Sequence, residues 1–239
     1  MGRAIPASLA LVVIVVAFVI GGAVWLHVRS SPDQTMAPGS PHSSRAATAT
    51  PGYDEARADV QRLPVKGWDL NSDFTRSRFG EAWSDDVNVE FGHNGCNTRD
   101  DVLRRDLTNL VVRPGTCLAQ TGTLLDPYGS ESIAFVRGPD TSNAVQIDHV
   151  VSLSDAWYKG ARNWEDQRRR DFANDPRNLL AVGGAFNFDK AYRDAASWLP
   201  PNAAFRCEFV ARQATVKTAY GLWVSAKEKQ AMQDVLDGC

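Results

Sequence analysis

Several signatures of enzyme chemistry are absent from this sequence. It contains no Gly-x-Ser-x-Gly turn, no P-loop and no His-Glu-x-x-His pair, which disfavours serine-hydrolase, P-loop nucleotide-binding and zincin activities. It contains no Cys-x-x-Cys pair, which counts against a structural zinc site. An excess of one charge is lacking too, because the formal net charge is −2. This argues against coating of nucleic acid through bulk electrostatics, so any contact with a polyanion must use a local basic patch or a bound metal.

The length and composition are those of one folded domain with appendages. The chain has 239 residues, of which 44% are hydrophobic. Residues 4–26 carry no charge, and roughly 20 apolar residues suffice for a membrane-spanning helix, so residues 1–29 are predicted to be a transmembrane anchor. A secretory signal cleaved near residues 21–23 is the alternative. Residues 30–52 are rich in Ser, Pro, Ala and Thr and are predicted to be a flexible linker, which leaves residues 53–239 as the domain.

All four cysteines follow the predicted linker. An even number of cysteines beyond an export segment indicates disulfides and an extracytoplasmic location. Three connectivities are compatible with the sequence, which does not choose among them. We favour the sequence-local pattern, which joins Cys96 to Cys117 and Cys207 to Cys239.

Helices and strands alternate in the folded region without a regular βαβ rhythm. Asn97, Asn202 and Ser225 can each cap a helix, and Gly221 can end the second one. We therefore predict the α+β class, and we find no internal repeat. Short apolar runs predict strands near residues 110–112, 122–125 and 133–136.

One apolar, β-branched run carries titratable residues at its centre. The run from Ala144 to Leu153 is typical of a strand, yet it contains Asp148 and His149. Burying an ionised Asp costs roughly several kcal/mol unless it is paired or binds a metal. Taken alone, an Asp-His dipeptide is more often a structural hydrogen-bonded pair, or a pair that faces solvent, than a catalytic one.

The residues that follow favour the catalytic interpretation. A polar turn containing Asn178 precedes a second short strand, and a helix that begins near Gly183 carries Asn187 and Lys190 one turn apart. This order resembles the ββα-metal, or HNH, nuclease motif, and in particular the extracytoplasmic group related to the C-terminal domain of GmrSD-type restriction enzymes. Further resemblances span nearly the whole region from Tyr53 to Cys239, and they include residues 98–101, 105–107, 126–128, 154–157, 172–175 and 197–201.

The resemblance implies an α+β fold with a ββα-metal core, and a role for each residue of the motif. His149 is the general base, and Asp148 is a carboxylate ligand of one divalent cation, Mg²⁺ in the first place and Mn²⁺ as the alternative. Asn187 stands where many relatives have His and binds the metal through its amide oxygen. Asn178 holds the loop that bears the base, and Lys190 contacts the phosphate. The implied reaction is hydrolysis of a phosphodiester bond that leaves 5′-phosphate and 3′-hydroxyl ends.

Basic residues outside the motif have two interpretations. Arg168, Arg169 and Arg170 could hold a phosphate backbone, although such a run is usually a solvated helix face. Arg99 could bind nucleic acid or belong to a salt-bridged helix surface. The leading hypothesis is an extracytoplasmic nuclease acting on DNA, or secondarily RNA, with the membrane contacted through the N-terminal helix. The rivals are a non-catalytic surface module on a degenerate scaffold and a hydrolase of a cell-wall phosphodiester polymer.

Overall fold

The computed structural model describes residues 53–70 and 74–239. The predicted anchor, residues 1–29, and the predicted linker, residues 30–52, lie outside these ranges. Within them, no helix combines the length and the apolar character that a membrane crossing requires.

The described residues form a mixed α+β domain, which confirms the predicted class. The helices are α1 (Tyr53–Arg62), α2 (Thr98–Asp106), α3 (Leu153–Tyr158), α4 (Asp166–Asn174), α5 (Gly184–Lys190), α6 (Arg206–Tyr220) and α7 (Ala226–Asp237). The strands are β1 (Thr108–Val112), β2 (Ala119–Leu125), β3 (Ser132–Val136), β4 (Val145–His149) and β5 (Leu179–Gly183).

The strands form two antiparallel sheets. One sheet has three strands in the order β1-β2-β3, and the other is the pair β4-β5. In the pair, Asp148 lies opposite Leu180 and His149 lies opposite Leu179. Helix α5 begins directly after β5 and packs on both strands of the pair. The result is a strand–strand–helix unit in which the end of β4 faces the start of β5.

Both faces of the β4–β5 pair are covered. Leu180 and Val182 point into an apolar cluster with α1, α6 and α7. Leu179 and Ala181 alternate with them along β5 and point to the opposite face, into a second cluster with α2, β2 and β3. Because both faces are buried, β5 is an uninterrupted apolar run rather than an alternating one. A third cluster packs α3 and α4 around Phe172.

The predicted helix ends are confirmed. The side chain of Asn97 accepts a hydrogen bond from the amide of Asp100, and α2 follows it. Asn202 caps a short 3-10 turn that continues into α6. Gly221 then ends α6 in the left-handed conformation, with φ of 67°.

The start of α7 differs from a full capping box. Ser225 accepts from the amide of Glu228 as expected, but the Glu228 carboxylate is completely buried among two lysines. Burial makes these charges costly, so each must be paired. The buried ion cluster, as we call it, joins α3, α6 and α7 and consists of Asp155, Lys159, Asp194, Lys217 and Glu228.

Both favoured disulfides are present. Cys96 is bonded to Cys117, with Cα atoms 5.6 Å apart, and Cys207 is bonded to Cys239, with Cα atoms 6.0 Å apart. The first bridge joins the segment before α2 to the segment before β2. The second joins the first turn of α6 to Cys239, two residues after the end of α7, so both helices are covalently linked. Closing loops of this size stabilises a fold by about 3 kcal/mol each in the chain-entropy model.

Candidate functional site

The β4–β5–α5 unit places several of the predicted residues around one cavity. Asp148 and His149 are the last two residues of β4, and Asn187 lies in the middle of α5. All three line a cavity of about 390 Å³, together with the guanidinium-bearing side chains of Arg76 and Arg99. Acid, base, amide and cations therefore meet in one place although they come from four separate segments.

The ring of His149 is held in a defined orientation. Its Nε2 lies 2.8 Å from the carbonyl oxygen of Ala173, which can only accept, so Nε2 carries the proton. The ring therefore exposes Nδ1 as its acceptor atom. Trp83 stacks on the imidazole with 5.8 Å between the ring centroids and 13° between the planes. These contacts fix the tautomer and the plane of the ring.

The environment keeps His149 in its neutral form. Burial, and secondly the charge of Arg76, lower the pKa of His149 from its ordinary value of 6.5 to about 3. Only 6% of the residue is exposed, yet it lines the 390 Å³ cavity and a neighbouring cavity of about 230 Å³. The residue thus borders both cavities although little of its surface is exposed to bulk solvent. A neutral imidazole with a free Nδ1 is the form that can accept a proton from water.

Asn178 fixes the backbone just after His149. It is completely buried, its Oδ1 accepts from the amide of Val151 at 2.8 Å, and its Nδ2 donates to the Val151 carbonyl at 3.2 Å. Its own carbonyl accepts from the amide of Val150. These are the backbone contacts that the resemblance implies for this position.

Asp148 is held by a phenol and an ammonium group. The hydroxyl of Tyr128 donates to Oδ2 at 2.6 Å, and Lys190 Nζ donates to Oδ1 at 3.0 Å. Burial raises the pKa of Asp148, against the lowering effect of Lys190 and Tyr128. Burial and the neighbouring Asp148 raise the pKa of Tyr128 well above its ordinary value, so the phenol remains the donor. The backbone of His149 also donates a hydrogen bond to this carboxylate, so three donors hold it in place.

A tight turn positions Tyr128 under the site. Asp126 is completely buried and accepts hydrogen bonds from the amides of Tyr128 and Gly129 in the turn and from Gly183 at the end of β5. A Cβ at Gly129 would lie 2.2 Å from the ring of Phe186, so the turn requires glycine there. The sequence Asp126-Pro127-Tyr128-Gly129 is typical of a turn, whereas the role of the phenol has no local sequence signal.

Lys190 does not face the cavity, in contrast to the expected phosphate contact. Its side chain is completely buried, and Nζ donates to Asp148 Oδ1 and, at 2.8 Å, to the carbonyl of His149. A buried carboxylate is costly unless a cation pairs with it, and Lys190, one helical turn after Asn187, is close enough to pair with Asp148. Lys190 is therefore placed as a positioning residue for Asp148 and His149.

Two residues of the cavity, Asp148 and Asn187, carry oxygen atoms of the type that hard divalent cations prefer. Asp148 offers carboxylate oxygen, and Asn187 donates from Nδ2 to Gln146 at 2.8 Å, which leaves its amide oxygen for a ligand. In the part of the chain that the structure describes, no group of three or more His, Cys, Asp or Glu residues could hold a metal. Two oxygen ligands from the protein, completed by water and phosphate, suit Mg²⁺ better than zinc.

The arginine run of α4 lies away from this cavity. Arg168 donates to the Tyr220 carbonyl at 2.9 Å and lies over the rings of Trp164 and Tyr220. Arg169, only 9% exposed, donates to carbonyls of Arg78, Ala161 and Trp164 and pairs with Asp166, so it is part of the core. Arg170 pairs with Asp86 at 3.1 Å. None of the three lines the cavity that contains His149.

Two basic residues do line it. Arg99, a predicted candidate, donates from Nη2 to the Val145 carbonyl at 3.1 Å, which anchors its guanidinium beside the start of β4. Arg76 is exposed and lines both cavities next to His149. Sequence reasoning missed Arg76 and Trp83, because they precede the motif by more than sixty residues in a segment without periodicity.

Comparisons with known proteins identify a family. A model of the family described as GmrSD restriction endonucleases, C-terminal domain, matches residues 97–235. An uncharacterized secreted protein of Arthroderma benhamiae is 40% identical over 146 residues, which cover 60% of this chain and 68% of that protein. No solved structure matches the chain. The matched region contains both strands and the helix of the site, and the chain belongs to the family of GmrSD restriction endonuclease C-terminal domains.

Proposed function

We propose that this chain is an HNH-type, metal-dependent endonuclease that hydrolyses phosphodiester bonds in nucleic acid, with DNA as the first substrate. The observation that carries the proposal is the placement of His149. Its ring is tied through Nε2 to the Ala173 carbonyl, and the residue lines the same cavity as Asp148 and Asn187. A purely structural role for His149 would not explain why it shares a cavity with the amide of Asn187 and with two arginines.

The cation would be held by Asp148 and Asn187, and when bound it would stabilise charge on the scissile phosphate and the leaving oxygen. His149 takes a proton from the attacking water through Nδ1, which general-base catalysis requires to be unprotonated. Arg76 and Arg99 line the cavity and bind the anionic phosphate.

The buried contacts keep these groups in register. Lys190 bonds both the Asp148 carboxylate and the His149 carbonyl, so one ammonium group links the metal ligand to the backbone of the base. Asn178 holds the backbone of the next two residues, because its side chain accepts from the amide of Val151 and its carbonyl accepts from the amide of Val150. Such preorganisation lets the site act on a phosphate without rearranging.

The site operates outside the cytoplasm. Both disulfides of the domain are of the kind that persists in oxidising compartments. The fungal relative is described as secreted. The apolar segment at residues 1–29 would direct export, either as a retained anchor or as a cleaved signal.

The test is cleavage of supercoiled plasmid DNA by the full-length chain in the presence of Mg²⁺. We expect nicking that EDTA abolishes and that His149→Ala lowers by at least about a hundredfold, the usual contribution of a general base. Asn187→Ala should raise the Mg²⁺ concentration needed for half-maximal rate by at least about tenfold. The matched control is His93→Asn, since His93 is exposed and does not line the cavity.

The rival, a non-catalytic surface module, predicts a different outcome. If His149→Ala and His93→Asn cleave equally well, the activity does not come from this site and the proposal is wrong. If the wild type cleaves neither DNA nor RNA with Mg²⁺ or Mn²⁺, the scaffold has lost catalysis and the rival stands.

A further inference from the structure

Two exposed aromatic side chains belong to residues that follow cavity-lining residues in the chain. Among the described residues, the large apolar side chains that are exposed include only two aromatic ones, Phe188, which is 87% exposed, and Tyr192, which is 60% exposed. An aromatic ring left this open to water gains nothing from the fold, since burial of such a ring would contribute about 2 kcal/mol or more. Their exposure is therefore the feature that a ligand could use.

Chain connectivity places the backbone of both residues next to the site. Phe188 directly follows Asn187, and Tyr192 directly follows Ala191; Asn187 and Ala191 both line the cavity. The carbonyl of Tyr192 also accepts a hydrogen bond from Ser152, which lines the same cavity. The backbone of both residues thus borders the wall of the cavity that carries the amide of Asn187, although neither residue lines the cavity itself.

The surroundings of the rings are charged rather than apolar. Asp189 lies between them in sequence and pairs with Arg193 at 2.8 Å, and both side chains of the pair are at least a third exposed. Two isolated rings among such groups are far smaller than the roughly 800 Å² per partner that a specific protein interface buries. They suit a ligand that offers flat apolar faces one at a time and brings negative charge to the arginines of the cavity.

We propose that Phe188 and Tyr192 stack on bases of an unpaired nucleic-acid strand whose phosphate lies in the cavity beside His149. This inference rests on the proposed function and names its substrate class. Stacking on aromatic side chains requires a free base face, which a single strand offers and a duplex covers by base-on-base stacking. The site therefore prefers single strands, or unpaired stretches, to continuous duplex.

The experiment measures binding and cleavage with the full-length chain. A fluorescent single-stranded oligonucleotide and the duplex of the same sequence are titrated in EDTA, and both are then cleaved in Mg²⁺. Phe188→Leu and Tyr192→Leu keep apolar volume but remove the rings, whereas Phe188→Tyr and Tyr192→Phe keep them. The control is Leu125→Ala, because Leu125 is 69% exposed on β2 and lies outside the cavity.

We expect each leucine variant to raise Kd for the single strand about tenfold, and each aromatic exchange to restore it. Affinity for the duplex and the properties of Leu125→Ala should not change. In cleavage of the single strand, KM should rise with kcat retained, because the rings bind bases and do not touch the reacting atoms.

The outcomes separate this inference from the proposed function. Cleavage that persists while the leucine variants leave single-strand affinity unchanged, or weaken single strand and duplex equally, overturns the stacking and leaves the nuclease intact. Ring-dependent binding of the single strand without any cleavage supports the stacking and overturns the nuclease. An aromatic exchange that fails to restore affinity also contradicts stacking.

Discussion

The buried ion cluster allows a quantitative prediction from a single substitution, Lys159→Met. Lys159 Nζ is completely buried and lies 2.5 Å from Asp155, 2.8 Å from Asp194 and 2.6 Å from Glu228. The carboxylates of Asp155 and Glu228 remain paired with Lys217 at 2.6 Å after the substitution, but Asp194 loses its cation. The loss should therefore match one uncompensated buried charge, about 3–5 kcal/mol in the free energy of unfolding, rather than three.

Hydrogen bonds place the expected value at the lower end of that range. Asp194 Oδ1 accepts from the Ala196 amide and from the Ser197 hydroxyl at 3.1 and 3.2 Å, and these contacts stay. We expect a loss of about 3 kcal/mol at pH 7.5, which with a slope of about 2 kcal/mol/M lowers the midpoint of urea unfolding by about 1.5 M. The matched control is Arg212→Met, which removes a half-exposed i,i+4 pair with Glu208 and should cost only about 0.3–0.5 kcal/mol.

The pH dependence tests whether charge is the cause. Burial acts to raise the pKa of Asp155, but Lys217 and Lys159 together lower it, so in the wild type its pairing contributes stability at neutral pH that is lost as pH falls through the folded pKa. Without Lys159, Asp155 and Glu228 each lose one of the two lysines that lower their pKa, and burial already raises the pKa of Glu228 in the wild type. The variant then binds protons more tightly when folded, and its deficit must shrink as pH falls from 7.5 toward 5. A midpoint shift below about 0.3 M, or an equal deficit at both pH values, would refute the reasoning.

Two further predictions concern the site itself. Tyr128→Phe removes a hydrogen bond to the buried Asp148 carboxylate and should lower the free energy of unfolding, measured in urea, by about 1–3 kcal/mol. It should also raise the Mg²⁺ concentration that cleavage requires. If that concentration does not change, the phenol does not orient Asp148. The pKa of His149 is about 3 when folded and 6.5 when unfolded, so the unfolded chain takes up a proton between these values and the folded chain does not. Stability should be full above pH 6.5 and fall as pH drops toward 3, and His149→Gln should flatten that dependence in urea unfolding series.

Local rules predicted the parts of the fold that are set locally. A capping side chain, a left-handed glycine and a run of β-branched residues act within one turn or strand, so Asn97, Asn202 and Gly221 were sufficient to place helix ends. Disulfide pairing was less constrained, and the favoured pattern is the one observed. The sequence could not give the two-sided burial of β5, because an apolar run of five residues is equally compatible with a helix segment.

The candidate site could be predicted where its residues are consecutive in sequence or belong to the β4–β5–α5 unit. Lys190 marks the limit of such a prediction. Its position on α5 one turn after Asn187 was predicted correctly, but a charged residue on a helix is expected to face solvent or a ligand. Its side chain points inward because the Asp148 carboxylate with which it pairs is buried. Arg169 is a similar case, since its guanidinium satisfies buried carbonyls that no local pattern reveals. Arg76 reaches the cavity through tertiary packing alone.

The pairing of a carboxylate with an amide in the donor set has a thermodynamic consequence. A neutral amide attracts a divalent cation less than an imidazole or a second carboxylate does, so Asp148 and Asn187 alone form a weak site. The charge balance of the cavity strengthens this effect, because Arg76 and Arg99 repel a cation until a phosphate is present. A phosphate supplies both the missing oxygen ligands and the counter-charge for the arginines. In the proposed site, linkage requires that substrate and metal raise each other's affinity by the same factor, so we expect tight binding of the cation only when nucleic acid lies in the cavity.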